Sequence, residues 1–191
     1  LKESDVYKDK DFAMTNVYAL NIAYGGSLFG GVSYGLTFFA APSKHFKTLY
    51  TLISVKAYMD KHEDAVCIFY DTEGGTPRAY FESLGIDEER VIYTPIKNIE
   101  QLKFDLPNQL EEIKEGEKVI IAIDSLGNLA SKKEVQDALD ENAKSDMTRA
   151  KEMKSLTRII TPELRDKKIP CIAIGHVYQE LALFPKTIMS G

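Results

Sequence analysis

Nowhere in this chain do about 18 apolar residues follow one another, so no membrane-spanning helix is expected. The opening stretch, LKESDVYKDKDF, is charged and lacks the apolar centre of a secretory signal, so nothing in it points to secretion. Cysteine is scarce. Cys67 and Cys171 both lie inside apolar runs, AVCIFY and IPCIAI, which suits reduced core thiols of a cytosolic protein. An excess of positive charge is missing too. The 24 basic and 29 acidic residues leave a net charge of −5, which excludes a uniformly basic nucleic-acid binder but not a local basic surface. There is no convincing internal repeat and no low-complexity linker. With 191 residues, 44% of them hydrophobic, the chain can bury one good core and is expected to form one domain.

What is present is a series of short apolar runs with helical segments between them, the pattern of a parallel α/β sheet. The runs are LTFFAA (36–41), AVCIFY (65–70), VIYT (91–94), VIIAI (119–123) and PCIAIG (170–175). Their near-continuous hydrophobicity fits strands covered on both faces. Leu49, Leu52, Ile53 and Tyr58 recur at helical spacing over 47–61. Residues 99–115 also read as helix, with Pro107 inside; the expectation is that Asp105 caps a fresh start there, with Pro107 in its first turn. A longer helix is expected over about 145–165. Gly25-Gly26 and Gly30-Gly31 mark a turn-rich entry before the first strand.

Glycine is missing where it would be most informative. FFAAPSKHFKT, residues 38–48, has the outline of a phosphate-binding loop, G-x-x-x-x-G-K-[ST], but Ala41 and Phe46 stand where the two glycines belong. Ligands of open α/β sheets sit beyond the carboxyl ends of the strands, so the residues that follow each strand are the test. Asp71-Thr72-Glu73, Asp124-Ser125 and Gly175-His176 follow three of the other strands, and with the loop they bring polar groups from four strands to one rim. Singly these signals are weak: Asp124 also reads as a helix cap, Glu73 as a solvated carboxylate and His176 as a structural histidine. Together they point to an ATPase that uses ATP and Mg2+. Phosphoryl transfer is mostly positioning and charge neutralisation. Lys47 is expected to reach the β- and γ-phosphates, Thr48 and Asp124 to hold Mg2+, and Glu73 to orient or deprotonate the attacking water. His176 is the candidate sensor of the γ-phosphate. The nucleotide-binding loop comprises Ala41, Pro42, Ser43, Lys44, His45, Phe46, Lys47 and Thr48. Its grip would come from main-chain N–H groups at a helix N-terminus. If residue 46 takes φ > 0, Phe46 carries about 1–3 kcal/mol of strain.

In this order the residues resemble the ATPase core of the RecA-type recombinases, and more narrowly the UvsX recombinases of T-even-type phages. VCIFYDTEGG, EGEKVIIAIDSLGNLASKKE, SDMTRAKEMKSLTRIITP and IPCIAIGH carry the resemblance, which extends from LNIAYGG to KTIMSG. The narrower group has a phosphate loop of the form GPSKSFKS, which APSKHFKT matches except at Ala41, His45 and Thr48. The fold implied is α/β: a RecA-like P-loop ATPase core, its mostly parallel sheet flanked by helices. Residues 1–191 would form that single core without the C-terminal part of a full recombinase, and with its N-terminal docking element absent or reduced.

The resemblance further implies that Tyr80 lies against the adenine ring; the residue alone reads equally as a half-buried helix tyrosine. It implies two DNA-contacting loops. One falls within about 129–148, with Lys132, Lys133, Lys144 and Arg149 in or beside it, and the other begins near Tyr178, with Phe184 and Lys186. Cations on phosphates and apolar wedges between bases are the physical logic of such loops. The implied activity is ATP-dependent filament formation on single-stranded DNA with homologous pairing and strand exchange. Homologous duplex DNA, further copies of the chain in a helical filament, and mediator and single-strand-binding proteins would be the partners. The location would be the cytoplasm, that of the bacterial host for a phage protein. Two other readings stay open: a RecA-fold motor or ring-forming switch without strand exchange, and a nonhydrolytic DNA-binding filament scaffold.

Overall fold

In the computed structural model, residues 11–140, 147–179 and 186–189 are described. Five parallel strands build the sheet: β1 (Gly35–Ala41), β2 (Val66–Asp71), β3 (Val91–Pro95), β4 (Val119–Asp124) and β5 (Pro170–Gln179). Their spatial order is β1-β5-β4-β2-β3, and the short β6 (Thr187–Met189) runs antiparallel to the far end of β5. The helices are α1 (Tyr18–Gly25), α2 (Lys47–Lys61), α3 (Arg78–Ser83), α4 (Ile99–Glu112), α5 (Lys132–Leu139) and α6 (Thr148–Asp166). Every expected strand is present within a few residues, as are the helices at 47–61 and 148–166. No helix among the described residues is long and apolar enough to cross a membrane.

Side chains alternate across a strand, so each central strand feeds two cores. On one face Ile68, Tyr70, Ile121, Ile123 and Ala173 pack with Leu102, Leu106 and Leu110 of α4 and with Leu156, Ile160 and Leu164 of α6. On the other, Cys67, Phe69, Ile120, Ala122 and Ile172 meet Leu52, Val55 and Met59 of α2 and Phe81 of α3. This double coverage is why β2 and β4 read as unbroken apolar runs. Cys67 and Cys171 are free and fully buried, and burial pushes both thiols up to about 12.

The expectation at Pro107 is corrected. α4 runs without interruption from Ile99 to Glu112, with Asn98 as its cap: the Asn98 side chain accepts from the Gln101 N–H at 2.9 Å. Pro107 sits in the helix interior, and Asp105 caps nothing. Its carboxylate instead accepts the Tyr70 hydroxyl at 2.7 Å. Burial of Ile99, Leu102, Leu106 and Leu110 on one stripe overrides the hydrogen bond that a proline removes. Because Leu106 is fully buried beside this proline, Leu106→Ala is expected to destabilise the protein by about 2–5 kcal/mol, read from the urea unfolding midpoint.

Candidate functional site

Parallel register brings the strand ends to one rim. Ala41 of β1 pairs with His176 of β5, and Asp71 of β2 pairs with Asp124 of β4. The loop after β1 leads into α2 through Lys44 at φ 64° and Phe46 at φ 58°, both in the left-handed region. Phe46 therefore occupies the backbone state that a glycine would supply, with its ring largely exposed. It is also the N-cap residue of α2 and has no side-chain oxygen to cap the helix. The first N–H groups of α2 are left to bind an anion.

Lys47, the first residue of α2, is buried and folds back so that its Nζ donates to the Pro42 carbonyl at 2.8 Å. Burial lowers its pKa, and the Asp124 and Glu73 carboxylates pull it back up. Thr48 donates its hydroxyl proton to Asp124 Oδ2 at 2.6 Å, bridging α2 and β4 over the intervening β5. The Thr48 oxygen keeps its lone pairs for a cation. Burial pushes the Asp124 carboxyl up; the Thr48 hydrogen bond opposes that, while the Glu73 and Asp71 charges add to it. Among the described residues no group of three or more His, Cys, Asp or Glu side chains could hold a metal. A hydroxyl and one carboxylate suit Mg2+, which keeps water and phosphate oxygens for its other positions.

Glu73 stands on the turn after β2. Asp71, buried beneath it, accepts the N–H groups of Glu73 at 2.9 Å and Gly74 at 2.7 Å, and takes the Tyr93 hydroxyl on its other oxygen. Thr72 binds both main-chain groups of Ser125, donating to its carbonyl and accepting from its N–H, each at 2.8 Å. The Asp124–Ser125 peptide bond is cis. Glu73 Oε1 accepts Ser125 Oγ at 2.7 Å and Asn128 Nδ2 at 2.6 Å, and lies 3.1 Å from His176 Nε2. The structure thus gathers Lys47, Thr48, Glu73, Asp124 and His176. It adds Asp71, Thr72 and Ser125, neighbours of the expected residues at the strand ends, and Asn128, for which the sequence gave no signal.

The remaining site residues lie apart from that cluster or play other parts. His45 turns back to the Ser43 carbonyl at 2.8 Å. Tyr80, on α3, is half-buried against the α2-side core. A cavity of about 450 Å3 beside edge strand β3, lined by Thr76, Arg78, Phe81, Glu88, Val91 and Tyr93, includes none of the phosphate-loop residues. Lys132 and Lys133 open α5, where the main-chain N–H of Lys132 donates to the Glu100 carboxylate and Lys133 pairs with Asp137 at 2.9 Å. Arg149, at the start of α6, directs its guanidinium at the carbonyls of Leu126, Gly127 and Leu129. Lys186 is exposed just before β6. Lys144 and Phe184 lie outside the described residues.

Two outcomes follow from this geometry. Phe46→Gly is expected to stabilise the nucleotide-free protein by up to about 1 kcal/mol, whereas Phe46→Ala leaves the left-handed strain in place, as compared by urea unfolding. For Asp124, a folded pKa above the ordinary 3.8 means that the folded state binds the proton more tightly. Its contribution to stability is therefore lost as pH rises from that value through the raised one. The melting temperature of Asp124→Asn minus that of the wild type should grow over this window and then level off, in the absence of divalent cations.

No protein-family model matches the chain. Its whole length is 52% identical to the "Recombination and repair protein" of Enterobacteria phage T4, of which it covers 49%. The chain thus spans about half the length of that curated relative, and its likeness to a phage recombination and repair protein is continuous from the first residue to the last.

Proposed function

We propose that this chain is the ATP-hydrolysing core of a DNA recombinase that assembles on single-stranded DNA and pairs it with a homologous duplex. The observation that carries the reading is the Thr48–Asp124 hydrogen bond beside Lys47. It joins a helix N-terminus that can hold phosphate to a carboxylate that can hold a divalent ion. The identity with a phage recombination and repair protein supports recombination as the setting.

When bound, ATP supplies the scissile phosphoanhydride and Mg2+ the positive charge beside it. Lys47 exchanges the Pro42 carbonyl for phosphate oxygens. Thr48 and Asp124 hold the cation, and main-chain N–H groups at the start of α2 take further phosphate oxygens. Glu73 orients or deprotonates the attacking water, and His176, bonded to Glu73 and next to Ala41 in register, reports the γ-phosphate to the end of β5. Self-association has a surface to use. Among the described residues β3 is an edge strand that pairs only with β2, and Ile92 and Tyr93 on it are about half exposed.

In the full protein, ATP turnover should rise with single-stranded DNA and accompany helical filaments visible by electron microscopy. Glu73→Gln should lower kcat by about 100- to 10,000-fold while nucleotide binding persists, and Lys47→Ala should weaken binding itself. Wild-type turnover in Glu73→Gln would remove the catalytic assignment. Closed rings would favour a motor, and DNA-bound filaments without turnover a scaffold.

A further inference from the structure

Glu73 is clamped by one oxygen. Ser125 Oγ, Asn128 Nδ2 and His176 Nε2 all converge on Oε1, at 2.7, 2.6 and 3.1 Å. A carboxylate oxygen has about two lone-pair sites, so the Ser125 and Asn128 donors already fill it, with His176 Nε2 beside them. No hydrogen bond from a described residue reaches Oε2. The side chain is therefore fixed by one oxygen and presents the other, which is the requirement for a group that must aim at a water.

Asn128 makes the shortest of these contacts, yet it is exposed, and no core packing holds it. It closes the short helical turn Leu126–Asn128 that follows β4. Arg149, at the start of α6, fixes that turn from outside. Its Nε donates to the Leu129 carbonyl at 2.6 Å, and its Nη2 to the carbonyls of Gly127 at 2.8 Å and Leu126 at 3.3 Å. A planar guanidinium can serve several carbonyls in one fixed arrangement, which a lysine ammonium on a flexible stem does not reproduce.

We propose that Asn128 is a positioning residue for Glu73, and that Arg149 holds Asn128 in place through the carbonyls on either side of it. The proposal rests on the reading of Glu73 as the group that activates water. Asn128 bonds to Glu73 and to none of the phosphate-loop side chains, so it acts on turnover and not on nucleotide affinity.

The test is steady-state ATP hydrolysis by the full protein with single-stranded DNA present, with thermal melts of the same samples. Asn128→Ala should lower kcat roughly tenfold with the KM for ATP unchanged. Asn128→Asp, which keeps the size but sets a like charge against Glu73, should lower it further at a wild-type melting temperature. Arg149→Lys should reproduce the kcat loss, and combining it with Asn128→Ala should add little, because both act along one path. Wild-type kcat in Asn128→Asp, or a loss confined to KM, overturns the proposal while leaving the hydrolase reading intact. A wild-type protein without turnover that Lys47→Ala removes overturns both.

Discussion

Backbone hydrogen bonds from β5 to β1 and β4 set where the loop of residues 41–48, Asp124 and His176 emerge at the rim. β1, which leads into the proposed phosphate loop, and β4, which carries Asp124, are not adjacent; β5 lies between them. Two strand spacings, roughly 10 Å, therefore separate the two halves of the proposed cation site at the level of the sheet. The gap is closed from above, where α2 starts over the strand ends and projects Thr48 onto Asp124. The intervening strand delivers His176, three residues before its end, into the same space. A slip of one residue in any of these pairings would turn the delivered side chain to the opposite face.

Three carboxylates, Asp71, Glu73 and Asp124, crowd this rim around a single buried lysine, and their surroundings divide the labour. Asp71 is held by main-chain N–H groups and Tyr93, which makes it a fixture of the turn. Asp124 has the Thr48 hydroxyl and is pushed toward its neutral form by burial. Glu73 is a little over one third exposed, at 37%, and held through one oxygen. Carboxyl groups a few residues or one strand apart thus divide into the anchor, proposed cation ligand and proposed base, with environment and not residue type deciding which.

The sheet was legible in the sequence because strands buried on both faces leave unbroken apolar runs, and the rim was legible because four of the five runs lead straight into polar groups. α4 was misread at Pro107, where a local rule about proline lost to a stripe of four buried side chains. Phe46 left its backbone state open, since only the folded loop shows that residue 46 takes φ 58°. Asn128 and Arg149 were out of reach for another reason. The contact from Asn128 to Glu73 spans 55 positions, and the carbonyls that Arg149 serves carry no side-chain signature at all.

The two cysteines lie on opposite sides of the sheet. Cys67 belongs to the core under α2 and Cys171 to the core under α4 and α6. Each is sealed from solvent and so deprotonates reluctantly. Alkylation at either sulfur thus requires that its own layer lift away from the strands. The chain carries a built-in pair of exposure markers, one per layer, that distinguishes the opening of the α2 layer from the opening of the opposite face.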